Sequence, residues 1–172
     1  MTIAVAILIS VLFSSSALAQ KEKIVTFNGV EVSAGHQEPG EAYGWICYAR
    51  TGGAFPGTLT VTMDYLGVKG PGVSSQVTGG GWTLPVYLTG KFSTAKRPIT
   101  DDPYRGVLFG SVDGGEISWD KSGTLATVQL KLIIRGGTKD MEGLSGSAVL
   151  QGTVIYDEKG RGAFSGVIYF DF

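Results

Sequence analysis

The chain contains one cysteine, Cys47, and one histidine, His36, among 172 residues. A lone cysteine cannot close an intrachain disulfide, and one cysteine with one histidine cannot supply the nitrogen and sulfur ligands of an ordinary zinc site. Cys47 lies in the apolar run Gly44-Trp45-Ile46-Cys47-Tyr48-Ala49. A buried, inert thiol is expected there, since reactivity needs exposure and a lowered pKa. His36 sits in a polar stretch with Glu38 and Glu41 close in sequence, but no Gly-x-Ser-x-Gly elbow accompanies it. It reads as a solvated loop residue rather than a general base. An excess of one charge is also lacking. The balance is 14 Lys and Arg against 15 Asp and Glu, which argues against a nucleic-acid partner or an anionic membrane surface. No run matches the twelve-residue calcium loop, so Asp101 with Asp102, and Asp113 with Glu116, read as turn residues. No metal, cofactor or catalytic residue is assigned.

Long hydrophobic runs are confined to the N-terminus. Residues 3–13 are apolar, and Ser14-Ser15-Ser16-Ala17-Leu18-Ala19 ends in the small-x-small pattern of a cleavage site. The run is shorter than the roughly 20 apolar residues that a spanning helix needs, and no Lys or Arg precedes it. Residues 1–19 are therefore expected to be a signal peptide and residues 20–172 one domain, exported to the periplasm or the extracellular space, with no membrane contact after cleavage.

Helix-length periodicity is scarce, whereas glycine is abundant at 27 residues. The clearest strand covers residues 124–134, where Ala126, Val128, Leu130, Leu132 and Ile134 share one face and Thr127, Gln129 and Lys131 the other. Residues 58–65 alternate in the same way. Further strands are expected over 24–32, 43–50 and 82–92, the last with Pro85 forcing an edge or a bulge. A Gly-rich hairpin is expected at Asp113-Gly114-Gly115, between strands at 106–112 and 116–119. A final hairpin joins 148–156 to 163–172. Residues 67–81, with Gly79-Gly80-Gly81, and residues 93–105 read as long turn-rich connections. The fold class is all-β. A single, mostly antiparallel barrel of about eight strands is preferred, since open edges invite aggregation, with a β-sandwich as the alternative.

Residues 136–148 join two of the best strands. This stretch resembles the Gly-Gly-Thr-Gly-x-Phe-x-Gly-Ala-x-Gly connection of dirigent and allene-oxide-cyclase-like barrels and of related exported bacterial proteins. Gly136, Gly137, Thr138, Gly143 and Gly146 match, while Lys139, Met141 and Leu144 replace a glycine, the phenylalanine and the alanine. The likeness covers about residues 124–172. It implies a corner that helps close a barrel, with Met141 as an apolar plug and Lys139 placed where φ > 0 would be awkward. It names no catalytic or substrate-binding position.

The aromatics supply the remaining functional expectation. Trp45, Trp82 and Tyr87 are the candidate ligand-binding residues, with Trp82 at a strand start beside the Gly79–Gly81 run. Large aromatics also pack ordinary cores. Three functions follow from a barrel of this size: a non-catalytic binding module for a small apolar or aromatic compound, a structural or adhesive surface protein, and a cyclase-like barrel enzyme. The first is preferred. Whether the interior is hollow or filled separates the first and third from the second.

Overall fold

The computed structural model describes residues 24–34, 43–66, 70–87 and 104–172, with side chains described for these except at 32–34 and 43–45. The expected signal peptide, His36, the Asp101-Asp102 pair and the Trp45 side chain lie outside the described residues. Eight antiparallel strands form one closed barrel: β1 (Ile24–Ala34), β2 (Tyr43–Gly53), β3 (Gly57–Leu66), β4 (Ser74–Tyr87), β5 (Tyr104–Trp119), β6 (Leu125–Gly137), β7 (Gly146–Tyr156) and β8 (Gly162–Asp171). Each strand pairs with the next in sequence, and β8 returns to pair with β1. The barrel form is thus established over the sandwich.

Closure requires a stagger of register. A row of paired residues starting at Val25 runs through Ile168, Leu150, Leu130, Gly115 and Val77 to Tyr65. It arrives at Tyr43, at the far end of β2 from the residues that pair with the start of β1. The strands therefore tilt. Alternate residues fill the interior, including Val25, Phe27, Leu59, Val61, Met63, Leu84, Leu108, Leu132, Leu150, Phe164 and Ile168. Most of these have 0% exposure, so no water-sized void adjoins them and the middle of the barrel is solid.

Two glycine clusters expected in connections lie inside strands instead. Gly79–Gly81 falls within β4, and Asp113-Gly114-Gly115 within the 16-residue β5. Each sits at a shift of register, between Asp64 and Tyr65 on the β3–β4 ladder and between Val112 and Gly114 on the β5–β6 ladder. An extra residue at a bulge flips the alternation of the strand. In β4 the inward positions change from Ser75 and Val77 to Trp82, Leu84 and Val86; in β5 they change from Leu108 and Val112 to Ile117 and Trp119. Local composition does not distinguish such bulges from turns, because glycine serves both. Pro85 pairs with Val107 and lies beside the register shift at Val86 and Tyr87, in keeping with its expected bulge.

The corner at 136–148 closes one end of the barrel. Thr138 exchanges hydrogen bonds with Val107, donating from its N–H at 3.0 Å and accepting the Val107 N–H on its hydroxyl at 3.1 Å. A single 3-10 turn, Lys139–Met141, then drops Met141 into the core at 2% exposure. A Cβ on Gly137 would lie 2.6 Å from Met141 Cβ, so that position must be glycine for the plug to seat. Lys139 has φ = 54° and is the one non-glycine residue with positive φ among the described residues. Its ammonium lies 4.4 Å from the Tyr104 ring centre.

Candidate functional site

Three aromatic positions were expected to bind ligand; the structure describes the side chains of two, Trp82 and Tyr87, which lie apart along β4. Trp82 is buried at 2% exposure, packs edge-on against Phe170 at 6.0 Å, and donates its indole N–H to the Ile133 carbonyl at 3.3 Å. Its ring crosses β5 at Gly110, where a Cβ would stand 2.7 Å from the indole nitrogen. Tyr87, half-buried at the end of β4, packs against Tyr104 at 5.6 Å. Trp45 occupies a β2 position opposite Met63 and Ser33, and its side chain lies outside the described residues.

A different set converges at the end of the barrel opposite the corner. Glu31 continues the inward face of β1 after Val25 and Phe27. In register it faces Cys47 on β2. On its other side stands Gly162, paired with Tyr156. A Cβ at Gly162 would meet Glu31 Oε2 at 2.5 Å and Val154 Cγ1 at 2.6 Å. The missing side chain lets the carboxylate lean across β8 toward Tyr156. Trp119, at the end of β5, pairs with the small Ala126 and packs against Tyr65 with 5.9 Å between ring centres. Ser75 completes the group on β4.

Electrostatics at this end are dominated by burial and by Glu31. The Tyr156 hydroxyl is pushed far above the ordinary phenol range, first by burial and then by the hydrogen bond and charge of Glu31, with the Trp119 indole acting in the opposite direction. The Cys47 thiol is likewise pushed far up, by burial first and by the Glu31 charge second. Both groups stay protonated at neutral pH, which makes Cys47 the inert thiol expected and Tyr156 a standing hydrogen-bond donor. The Oγ of Ser75 and the Nε1 of Trp119 are buried and form no hydrogen bond of good geometry among the described residues.

Access at this end is slight and close to that of Thr51 (6%) and Phe170 (4%) at the corner end. Tyr65, Trp119 and Tyr156 retain 7%, 5% and 9% exposure, against 0% for Leu59, Leu84 and Leu108 deeper in the barrel. Glu31 was legible only as an acidic residue in a strand. The signal that singles it out is the odd-numbered inward series Val25, Phe27, Glu31, in which a carboxylate takes an apolar place.

Grooves on the outer wall are of another kind. One of about 540 Å³ is lined by exposed polar residues such as Thr127, Gln129 and Gln151, and a neighbouring one of about 460 Å³ includes Asp113 and Lys131. Asp113 and Glu116 both lie on this outer face rather than across a turn; Asp113 lies 3.9 Å from Lys131, and the Glu116 carboxyl is held below its usual range by hydrogen bonds from Ser118 and Ser74. Among the described residues, no group of three or more His, Cys, Asp or Glu could hold a metal. No family model, no curated protein and no solved structure matches this chain.

Proposed function

We propose that this protein is a non-catalytic binding module that takes a small apolar or aromatic compound into the end of its barrel marked by Glu31, Tyr156 and Trp119. The observation that carries this reading is that two buried donors without a hydrogen bond of good geometry, Ser75 and Trp119, stand with the inward Glu31 at one end of the barrel, whereas the inward Thr51 at the corner end donates to the Phe55 carbonyl. A fold that needed only a core would fill those positions with aliphatic side chains, because buried polar groups cost stability unless they are matched. The filled middle removes the enclosed-cavity form of this reading and leaves only the last layer of side chains, where Tyr65 and Trp119 supply aromatic walls. The corner at 136–148, with Met141 as plug, supports the likeness to dirigent and allene-oxide-cyclase-like barrels as a reading of architecture. Export follows from the N-terminal run in the same way.

The test is a panel of small aromatic and aliphatic compounds, read by tryptophan fluorescence and thermal shift. Binding is expected to raise the melting temperature and to be weakened at least tenfold by Tyr65→Ala. Saturable binding unaffected by Tyr65→Ala, or no binding across the panel, would count against the reading.

A second reading is favoured by the filled interior and by one surface feature. Leu125, Ile155, Ala163, Val30 and Tyr48 are paired in register across β6, β7, β8, β1 and β2, and all are exposed. This continuous apolar stripe suits a structural or adhesive surface protein. Ile155→Lys would abolish surface attachment in that case and leave small-molecule binding untouched.

A further inference from the structure

Resting on the ligand reading above, we infer that the compound received at the Glu31 end is uncharged and presents an oxygen acceptor, a carbonyl or an ether, to the Ser75 hydroxyl and the Trp119 indole N–H. Elsewhere the fold answers its buried donors with backbone carbonyls. The Trp82 indole reaches Ile133 at 3.3 Å, and the Thr51 hydroxyl reaches Phe55 at 2.8 Å. Ser75 and Trp119 are as deeply buried, at 2% and 5% exposure, yet neither donor meets an acceptor at good hydrogen-bond geometry among the described residues. The Trp119 indole faces the Tyr156 side without closing a hydrogen bond of good geometry.

The two donors belong to one place. Ser75 pairs with Ile117, so Trp119 is its diagonal neighbour on the adjacent strand, within reach for a large side chain. Both project into the barrel, and the Tyr65 ring stands beside Trp119. A carbonyl oxygen has two lone pairs and can accept from both donors at once. The sign of the local field sets the charge of the ligand. Glu31 disfavours the anionic forms of both Cys47 and Tyr156 through its charge, and a carboxylate or phosphate on the ligand would meet the same repulsion. An apolar body with one neutral acceptor satisfies the walls, the donors and the field together.

The experiment uses three matched probes on the full chain: acetophenone, ethylbenzene and benzoate, with affinities from calorimetry or ligand-observed NMR. Acetophenone is expected to bind at least tenfold more tightly than ethylbenzene, and benzoate more weakly than either. Trp119→Phe and Ser75→Ala are each expected to reduce the ratio of acetophenone to ethylbenzene affinity three- to tenfold. Equal affinity for acetophenone and ethylbenzene, tighter binding of benzoate, or a preference that survives in the double variant overturns this inference and leaves interior binding standing. Failure of both neutral probes to bind the folded chain overturns the interior-binding reading and this inference with it.

Discussion

At the corner end of the barrel, apolar groups interlock: Phe55 meets Phe170 and Phe172 edge-on at 5.3 Å and 5.8 Å, and Met141 seals the middle. At the opposite end, Glu31, Ser75, Trp119 and Tyr156 occupy equivalent inward places with polar atoms. Both ends cap the same solid core, so the difference is not one the fold requires. The corner end holds the barrel shut through packing and through the hydrogen bonds between Thr138 and Val107 of β5. The carboxylate end gives up packing for polar groups, and such exchanges are characteristic of places where function is built into a scaffold.

The largest effect should separate the two ends by stability. Met141→Ala removes most of a fully buried side chain and is expected to cost about 3 kcal/mol, whereas Met141→Leu should cost less than about 1.5 kcal/mol. Tyr156→Phe, which removes the donor to the Glu31 carboxylate at the other end, should cost about 1.5–2 kcal/mol. Urea denaturation of the three variants checks this. A Tyr156→Phe loss equal to that of Met141→Ala would mean that the polar end is as much a structural seal as the corner.

Alkaline pH should act on the carboxylate end. Cys47 and Tyr156 have folded pKa values raised above their ordinary values of 9.0 and 10.0. Their neutral forms are kept in the fold while the unfolded chain ionises. The associated stability is complete below about pH 9 and declines as pH rises through 9 and then 10, with a slope of up to about 1.4 kcal/mol per pH unit for each group. Cys47→Ala should remove the first part of this decline and Tyr156→Phe the second. Denaturation curves at pH 8 and pH 10 decide the matter. A slope unchanged in both variants would show that neither group is held neutral by burial beside Glu31.

Much of this contrast was legible in the residues, and what was hidden has a physical cause. Period-2 alternation at 58–65 and 124–134 gave the class of fold, because those strands keep one wet and one dry face throughout. Closure came from strand number and from the glycine-rich corner. The bulges at Gly79–Gly81 and Asp113–Gly115 were mistaken for connections because a glycine that relieves crowding inside a strand looks like one that forms a turn. The candidate site was less visible still. Trp82 stood out beside its glycines, but those glycines lie in the strand and its ring packs the core. Glu31 gained meaning only when the register set it beside Cys47 and across Gly162 from Tyr156. Such a site spans β1, β2, β3, β4, β5 and β7, and sequence spacing carries no record of that convergence.

The smallest effect concerns the corner itself. Lys139 takes φ = 54° where the resembling barrels carry glycine, and a left-handed conformation costs a residue with a Cβ roughly 1–2 kcal/mol. Two terms oppose the gain from Lys139→Gly: loss of the ammonium over Tyr104, about 0.5–1 kcal/mol at an exposed site, and the larger unfolded-state entropy of glycine, about 0.5 kcal/mol or more. These terms nearly cancel, so the net change should lie within about 1 kcal/mol of zero, whereas Lys139→Val, with a β-branched side chain at positive φ, should destabilise by about 1 kcal/mol or more. Thermal denaturation of the two variants distinguishes backbone strain from the ring contact. If Lys139→Gly is clearly the less stable of the two, the contact with Tyr104 holds the corner in place, and the glycine of the resembling motif is not what this backbone position demands.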